Sequence, residues 1–272
     1  MLRIAILDMN AGFANKGLAC IQQICEEFSR ISDAEILVKT YEVRIKAEVP
    51  TLDDFDILIS SGGPGNPAKT DEIWEKKYFH LVNSVFLNNQ VSTKRKYVFL
   101  ICHSFQIVAQ HLNFGDVTKR KSTAFGIFPV HKSKIGDDEP LFDLLPNPFF
   151  VVDSRDYQLI RPNEIVIKKF NAKILCHEKI RPHVPLERAI MAIRFSAEVF
   201  GTQFHPEADA YGMLNYFESQ EKKELIQKNH GTQKYEEMVG SLADPDKIML
   251  TESVILPTFL RNSVELLNQK SL

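Results

Sequence analysis

The stretch Tyr97-Val98-Phe99-Leu100-Ile101-Cys102-His103-Ser104-Phe105-Gln106 decides how this chain is read. Its first five residues are apolar and mostly β-branched or aromatic, which suits a strand buried on both faces. Ile107, Val108 and Leu112 then follow at helical spacing without a gap. A strand that runs straight into a helix needs a sharp turn, and Cys102 occupies it. Such a turn lifts a side chain off the carboxyl end of the sheet, where open α/β sheets bind their ligands. The helix behind it presents a partially positive end to the sulfur, favouring the reactive thiolate. The turn wants small residues two positions to either side; Ser104 meets that demand and Leu100 does not. An apolar strand ending in cysteine also describes an ordinary core residue, so the surrounding segments must decide.

Outward from this stretch, the first half alternates strand-like and helix-like segments. Arg3 to Leu7, Ala34 to Val43 and Asp56 to Ser60 read as strands, and Gly12 to Gly17 as a loop. Leu18, Ile21, Ile24, Cys25 and Phe28 recur at helical spacing. Asp71 to Asn88 reads as a helix with Ile73, Trp74, Tyr78, Leu81, Val82 and Val85 turned inward. This alternation predicts parallel strands joined by helical crossovers. From about Phe125 to Phe204 the pattern changes to short β-type runs (Phe149 to Val152, Lys173 to Cys176, Ala189 to Phe195, Val199 to Phe204), predicting antiparallel strands added to that sheet. The expected division is a domain over 1–207 and a C-terminal helical extension over 208–272, packed on the same domain. Within the extension, Ala210 to Gly240 reads as a solvated helical hairpin, with a cap over the site or a dimer contact as alternatives. Thr251 to Leu267 reads as a closing helix.

Lys and Arg number 33 against 35 Asp and Glu, a net charge of -2 that gives no reason to expect nucleic acid or a membrane as partner. The basic runs Lys94-Arg95-Lys96 and Lys119-Arg120-Lys121 read as solvated loop ends. The N-terminal apolar run breaks at Asp8, too early for a signal-peptide core, and no stretch approaches the roughly 18 apolar residues that span a bilayer. A cytoplasmic protein is expected. Cys20, Cys25, Cys102 and Cys176 lack C-x-x-C spacing, so no metal, redox pair or cofactor is expected; Cys20 and Cys25 read as small core residues. Oligomeric state is not legible.

Two further segments bear on Cys102. Ser61-Gly62-Gly63-Pro64-Gly65 follows a neighbouring strand, where glycines let backbone N–H groups approach the oxygen of an acyl-transfer intermediate. A tight turn without substrate is the plainer alternative. Gly201-Thr202-Gln203-Phe204-His205-Pro206-Glu207 ends a strand at a histidine two residues before an acid. A cysteine nucleophile needs a base that later returns the proton to the leaving group, and a carboxylate beyond the histidine would fix its tautomer.

In order and spacing, the three blocks resemble the signature segments of the class I, triad-type, glutamine amidotransferases, with the nearest likeness to the stand-alone glutaminase portion of GMP synthetase. The resemblance spans roughly residues 1 to 207. It implies a flavodoxin-like three-layer α/β domain with a mixed, mainly parallel central sheet flanked by helices. It further implies that Cys102 attacks the side-chain amide of glutamine, forming a γ-glutamyl thioester and releasing ammonia. His205 would act as general base and acid, oriented by Glu207. The backbone N–H groups of Gly63 and His103 would form the oxyanion hole, and Gly62, Gln106 and Asp156 would help hold the substrate. No P-loop pattern G-x-x-x-x-G-K-[ST] is present, so any ammonia acceptor would be a separate synthetase.

The departures from the family pattern are Leu100 and Ser104 in place of glycines, Phe105 where a histidine is frequent, and Ser154 in place of the histidine of a His-x-Asp element. Leu100 is expected to crowd the turn, and a displacement of about 1 Å can cost on the order of a hundredfold in rate. Two alternatives therefore stand beside the glutaminase: a catalytically impaired binding or regulatory module, and a γ-glutamyl peptide hydrolase without ammonia transfer.

Overall fold

Leu2–Asp8 forms the first strand, β1, and is followed by α1 (Lys16–Ile31), β2 (Ile36–Glu42) and the single turn α2 (Val43–Lys46). The computed structural model describes residues 1–13 and 16–269. Residues 14 and 15 of the expected Gly12–Gly17 loop, and 270–272 of the expected extension, lie outside the described residues. β3 (Ile57–Ser60), α3 (Ile73–Val91), β4 (Tyr97–Ile101) and α4 (His103–His111) complete the alternating half. Then come β5 (Asp116–Lys132), β6 (Phe149–Ile160), α5 (Glu164–Phe170), β7 (Lys173–Glu178), β8 (Ile190–Arg194) and β9 (Val199–Thr202).

Among the described residues, nine strands make one sheet in the order β2-β1-β3-β4-β9-β8-β7-β5-β6. The first five of that order are parallel, in the flavodoxin-like arrangement, and the remaining pairings are antiparallel. Both faces of the parallel part are covered, as its unbroken apolar runs require. Ile4, Ile6, Ile57, Ile59, Phe99 and Ile101 face α1 and the C-terminal helix α9 (Leu250–Gln269). Ala5, Leu7, Leu58, Val98 and Leu100, one residue out of phase, face α3 and α4. α9 supplies Val254, Ile255, Leu256, Phe259, Leu260 and Val264 to the first of these cores. At roughly 1.5–3 kcal/mol for each buried side chain of this size, α9 is part of the domain core.

Several expectations change. α3 buries Trp74, Tyr78, Leu81, Val82 and Val85, but Ile73 is 71% exposed because it opens the helix ahead of the packed face. Cys25 is buried, while Cys20 is only partly so. β5 begins well before the expected β region, and its Lys119-Arg120-Lys121 run is strand, not loop. Arg120 donates to Glu178 Oε1 at 2.9 Å and Gln158 Oε1 at 2.6 Å, with its side chain 10% exposed. Lys96 is likewise buried, donating to the Phe55 carbonyl at 2.6 Å and to Asp56. Both cations are held by acceptors distant in the sequence, so they are not solvated.

The stretch expected to be a solvated hairpin forms α6 (Ala210–Glu218), α7 (Gln220–His230) and α8 (Thr232–Ala243). Phe217, Ile226, Tyr235, Met238 and Leu242 make an apolar cluster that packs on Phe125, Ile127, Phe150 and Val152 of the β5–β6 hairpin. Among the described residues no helix is long and apolar enough to cross a membrane.

Leu100 does not crowd the turn. Its register partner on β9 is Gly201, where an added Cβ would stand 3.2 Å from Leu100 Cβ, 2.9 Å from Phe105 and 3.0 Å from Phe195. Leucine on one strand is matched by the missing side chain on the next. Gly201→Ala is expected to destabilise the protein by about 1–3 kcal/mol through overpacking, read as a lower urea midpoint at unchanged slope. In the Phe105→Ala/Gly201→Ala double variant the loss should fall short of the sum of the single losses, since removing the Phe105 ring clears part of the space that the new methyl fills.

Candidate active site

Cys102 stands between the last residue of β4 and the first of α4 with φ 48 and ψ -100. A residue other than glycine in such a region costs on the order of 1–3 kcal/mol and persists only where its surroundings over-determine it. Here the Cys102 N–H donates to the Thr202 carbonyl at 2.8 Å, and its carbonyl accepts from the Gln106 N–H at 3.0 Å, the first bond of the helix. The turn is thus tied to β9 on one side and to α4 on the other. The side chain sits at the carboxyl end of β4, 6% exposed.

The carboxyl end of β9 brings the second group. Beyond Thr202 the chain bends at Gln203 and Phe204, and the His205 N–H then donates to the Val152 carbonyl at 3.0 Å in a one-residue antiparallel bridge to β6. His205 Nδ1 lies 2.8 Å from Glu207 Oε1, and the imidazole stands beside the Cys102 side chain, near enough for the sulfur to bear on its titration. The Glu207 side chain is 2% exposed; its Oε2 has no hydrogen-bond partner among the described residues. Burial alone would lower the His205 pKa, but the Glu207 charge and the Cys102 sulfur outweigh it and hold the imidazole well above its ordinary value.

The glycine segment lies against both groups. A Cβ on Gly62 would stand 2.8 Å from His205 Cε1 and 3.5 Å from Cys102 Cβ, so this position has no room for a side chain beside the imidazole. A Cβ on Gly63 would meet the Met9 carbonyl oxygen at 2.1 Å. Arg44 donates to that same carbonyl at 3.2 Å and to the Pro64 carbonyl, and its guanidinium lies over the Trp74 ring at 5.3 Å. His103 opens α4, whose first-turn N–H groups have no intrahelical acceptor. Burial, with the Arg44 charge behind it, pushes the His103 side chain down to about 4, so it is neutral near pH 7.

The expected substrate residues fall in different settings. Gln106 is buried; its Nε2 donates to the Tyr157 carbonyl at 3.1 Å and to Gln203 Oε1 at 3.0 Å, both within the protein. Asp156 is exposed on β6 and accepts from Thr123 Oγ1. Ser154, two residues earlier, offers its carbonyl 3.9 Å from Cys102 Sγ. Gln203 has no role in the sequence reading, yet its Nε2 lies 3.7 Å from Cys102 Sγ, linking the sulfur to Gln106. The signal was a polar residue in an otherwise apolar strand end. Arg44 carries no such signal, because nothing local marks a cation whose acceptors lie 20 and 35 residues away. Among the described residues no group of three or more His, Cys, Asp or Glu could hold a metal ion.

The sequence profile of the glutamine amidotransferase class-I family matches residues 16–218, well over half of the chain. The chain belongs to the class I glutamine amidotransferase family. A curated relative, the glutamine amidotransferase-like protein YfeJ of Salmonella typhimurium, is 31% identical over 102 residues. That match spans 38% of this chain and 41% of the length of the relative. Among solved structures, a glutamine amidotransferase from Thermotoga maritima superimposes with a TM-score of 0.64 at 17% identity, covering 97% of this chain and 98% of that one. A glutamine amido transferase from Methylobacillus flagellatus gives 0.63 at 14% identity over 96% and 94% of the two chains. At these identities the structural likeness establishes the fold of this amidotransferase-family chain.

The His205–Glu207 pair makes a titration prediction. In wild-type protein the His205 imidazole should titrate well above 6.5 by NMR, and in Glu207→Gln its pKa should fall, because burial then acts with less opposition. A raised folded-state pKa adds stability that is complete below the unfolded value, about 6.5, and is lost as pH rises through the folded value. The stability gap between wild type and Glu207→Gln should therefore be widest in mild acid and narrow in alkali.

Proposed function

We propose that the protein is a cysteine hydrolase of the glutamine amidotransferase type, which releases ammonia from glutamine or a γ-glutamyl amide through a γ-glutamyl thioester on Cys102. The observation that carries this reading is a strained strand–helix turn cysteine beside an imidazole that is itself hydrogen-bonded to a buried carboxylate. The Cys102 thiol gives its proton to His205 as its sulfur attacks the amide carbon, and the carbonyl oxygen takes up negative charge facing the N–H groups of Gly63 and His103. His205 gives its proton to the departing nitrogen, which leaves as ammonia. It then takes a proton from the water that hydrolyses the thioester, and glutamate and free thiol result. Glu207 keeps the imidazole oriented and stabilises its charged form.

Gln203, held by Gln106, turns its amide toward the reacting sulfur, and Asp156, exposed on β6, suits the ammonium group of an amino-acid substrate. The match of Leu100 to Gly201 removes the main reason to expect an impaired site and favours catalysis over a binding module. Ammonia would pass to a separate synthetase or be released. Four unpaired cysteines suit a reducing compartment, in keeping with a cytoplasmic location.

Ammonia release from glutamine, followed with a coupled dehydrogenase assay, should fall by at least about a thousandfold in Cys102→Ala and in His205→Ala, the scale of losing a nucleophile or its base. Full activity in either variant refutes the assignment. The glutamine-like electrophile diazo-oxo-norleucine should modify Cys102 alone by peptide mass mapping. Burial pushes the Cys25 thiol up to about 12, pushes Cys176 well above its ordinary value and raises Cys20, so these three should stay unmodified.

A further inference from the structure

The turn and the glycine segment are joined by a run of buried hydroxyls. Ser104 Oγ lies 2.7 Å from the Ser61 carbonyl and 2.7 Å from Ser60 Oγ, and Ser60 Oγ lies 3.0 Å from the Tyr78 hydroxyl. Ser60, Ser104 and Tyr78 are all fully buried. On the other side of the same segment, the Met9 N–H donates to Ser61 Oγ at 3.0 Å, and Ser61 Oγ donates to the Gly62 carbonyl at 2.9 Å.

Donor counting fixes the direction of the chain. A carbonyl only accepts, so the single Ser104 proton goes to Ser61. Ser104 Oγ must then accept from Ser60, and Ser60 from Tyr78. Burial pushes the Tyr78 phenol up to about 12, so it remains a donor at the head of the run. Each hydroxyl proton has one destination, and each lost member would leave a buried group without its partner.

We propose that Tyr78, Ser60, Ser104 and Ser61 form a positioning relay that aims the Gly63 N–H at the oxyanion by fixing the Gly62–Gly63 peptide from behind. A trans peptide carries its C=O and N–H on opposite sides. Holding the Gly62 carbonyl against Ser61 Oγ therefore turns the Gly63 N–H the other way. Holding the Ser61 carbonyl against Ser104 ties the adjoining Ser61–Gly62 peptide to the helix that follows Cys102. The departure of Ser104 from glycine is then a gain of contact: its hydroxyl couples the nucleophile's helix to the loop that receives the negative charge. The relay rests on the glutaminase reading above, and its members are positioning residues that need not touch substrate.

The test compares wild type with Ser104→Ala, Ser60→Ala, Tyr78→Phe and the Ser60→Ala/Ser104→Ala double variant. Losing one oxyanion donor outright costs about a hundredfold to a thousandfold in kcat, so misaiming one should cost on the order of tenfold. The expected result for Ser104→Ala is that fall in kcat with KM within about twofold, because the donor acts in the transition state. The double variant should be no slower than Ser104→Ala, since both changes break one chain. Alkylation of Cys102 by iodoacetamide builds no oxyanion, so its rate should not change. Should Ser104→Ala fail to fold, Ser60→Ala and Tyr78→Phe carry the same comparison.

A kcat within twofold of wild type overturns the relay, as does equal loss of turnover and alkylation, which would mean general damage to the turn. Wild-type protein that releases no ammonia from glutamine overturns the glutaminase reading instead. Crystal structures then decide the relay: a Gly62–Gly63 peptide in its wild-type orientation in Ser104→Ala refutes it.

Discussion

The backbone of Cys102, held at a positive φ that cysteine does not favour, is the constraint on which the surrounding structure converges. Its N–H is claimed by Thr202 on the neighbouring strand and its carbonyl by the first turn of α4. These bonds tie β4, β9 and α4 together at one point, and that point is where the parallel sheet ends. The two flanking strands deliver their own groups to the same edge, the glycine segment from β3 and the His205 segment from β9. Strain at the sulfur and the convergence of the loops have a common origin, because a relaxed turn at this residue would release the register that brings the loops together.

The antiparallel half of the sheet serves the same edge from the side. β6 supplies the carbonyl of Ser154 to the sulfur and the bridge that seats His205. Its Asp153 and Arg155 are buried and paired at 2.9 Å, and Arg155 in turn donates to the Tyr157 carbonyl that also receives Gln106. Glu178 on β7 gathers Arg120, Arg155 and Arg181. Burial would raise that carboxyl, but these three cations outweigh it and hold it below the usual carboxylate range. The cluster works as a unit: removing Glu178 would leave several guanidinium groups facing one another in a dry environment, a far larger loss than that of a surface pair.

The parallel half of the fold was legible because its strands are buried on both faces, so unbroken apolar runs such as Tyr97 to Ile101 stand out from the helices between them. The antiparallel arm was legible only in part. β5 carries Lys119, Arg120, Lys121, Ser122 and Thr123 through a register shift, and nothing apolar marks it as a strand. Its Arg120 is satisfied by residues some 40 to 60 positions away, which no local pattern encodes. The same limit applied at the site. Cys102, His205 and Glu207 were readable from short motifs, whereas Arg44, Tyr78 and the direction of the serine hydroxyls depend on distant strands meeting. Leu100 looked like an obstacle only because its register partner, Gly201, could not be seen beside it.

The bridge between Val152 and His205 carries a mechanical corollary. Val152 belongs to the strand on whose outer surface α6, α7 and α8 rest, while the residue it grips carries the imidazole. A push on that helical cover is thus transmitted to the ring over the thickness of a single strand, with no loop between to absorb it. A shift of the cover therefore bears directly on the seating of the His205 imidazole.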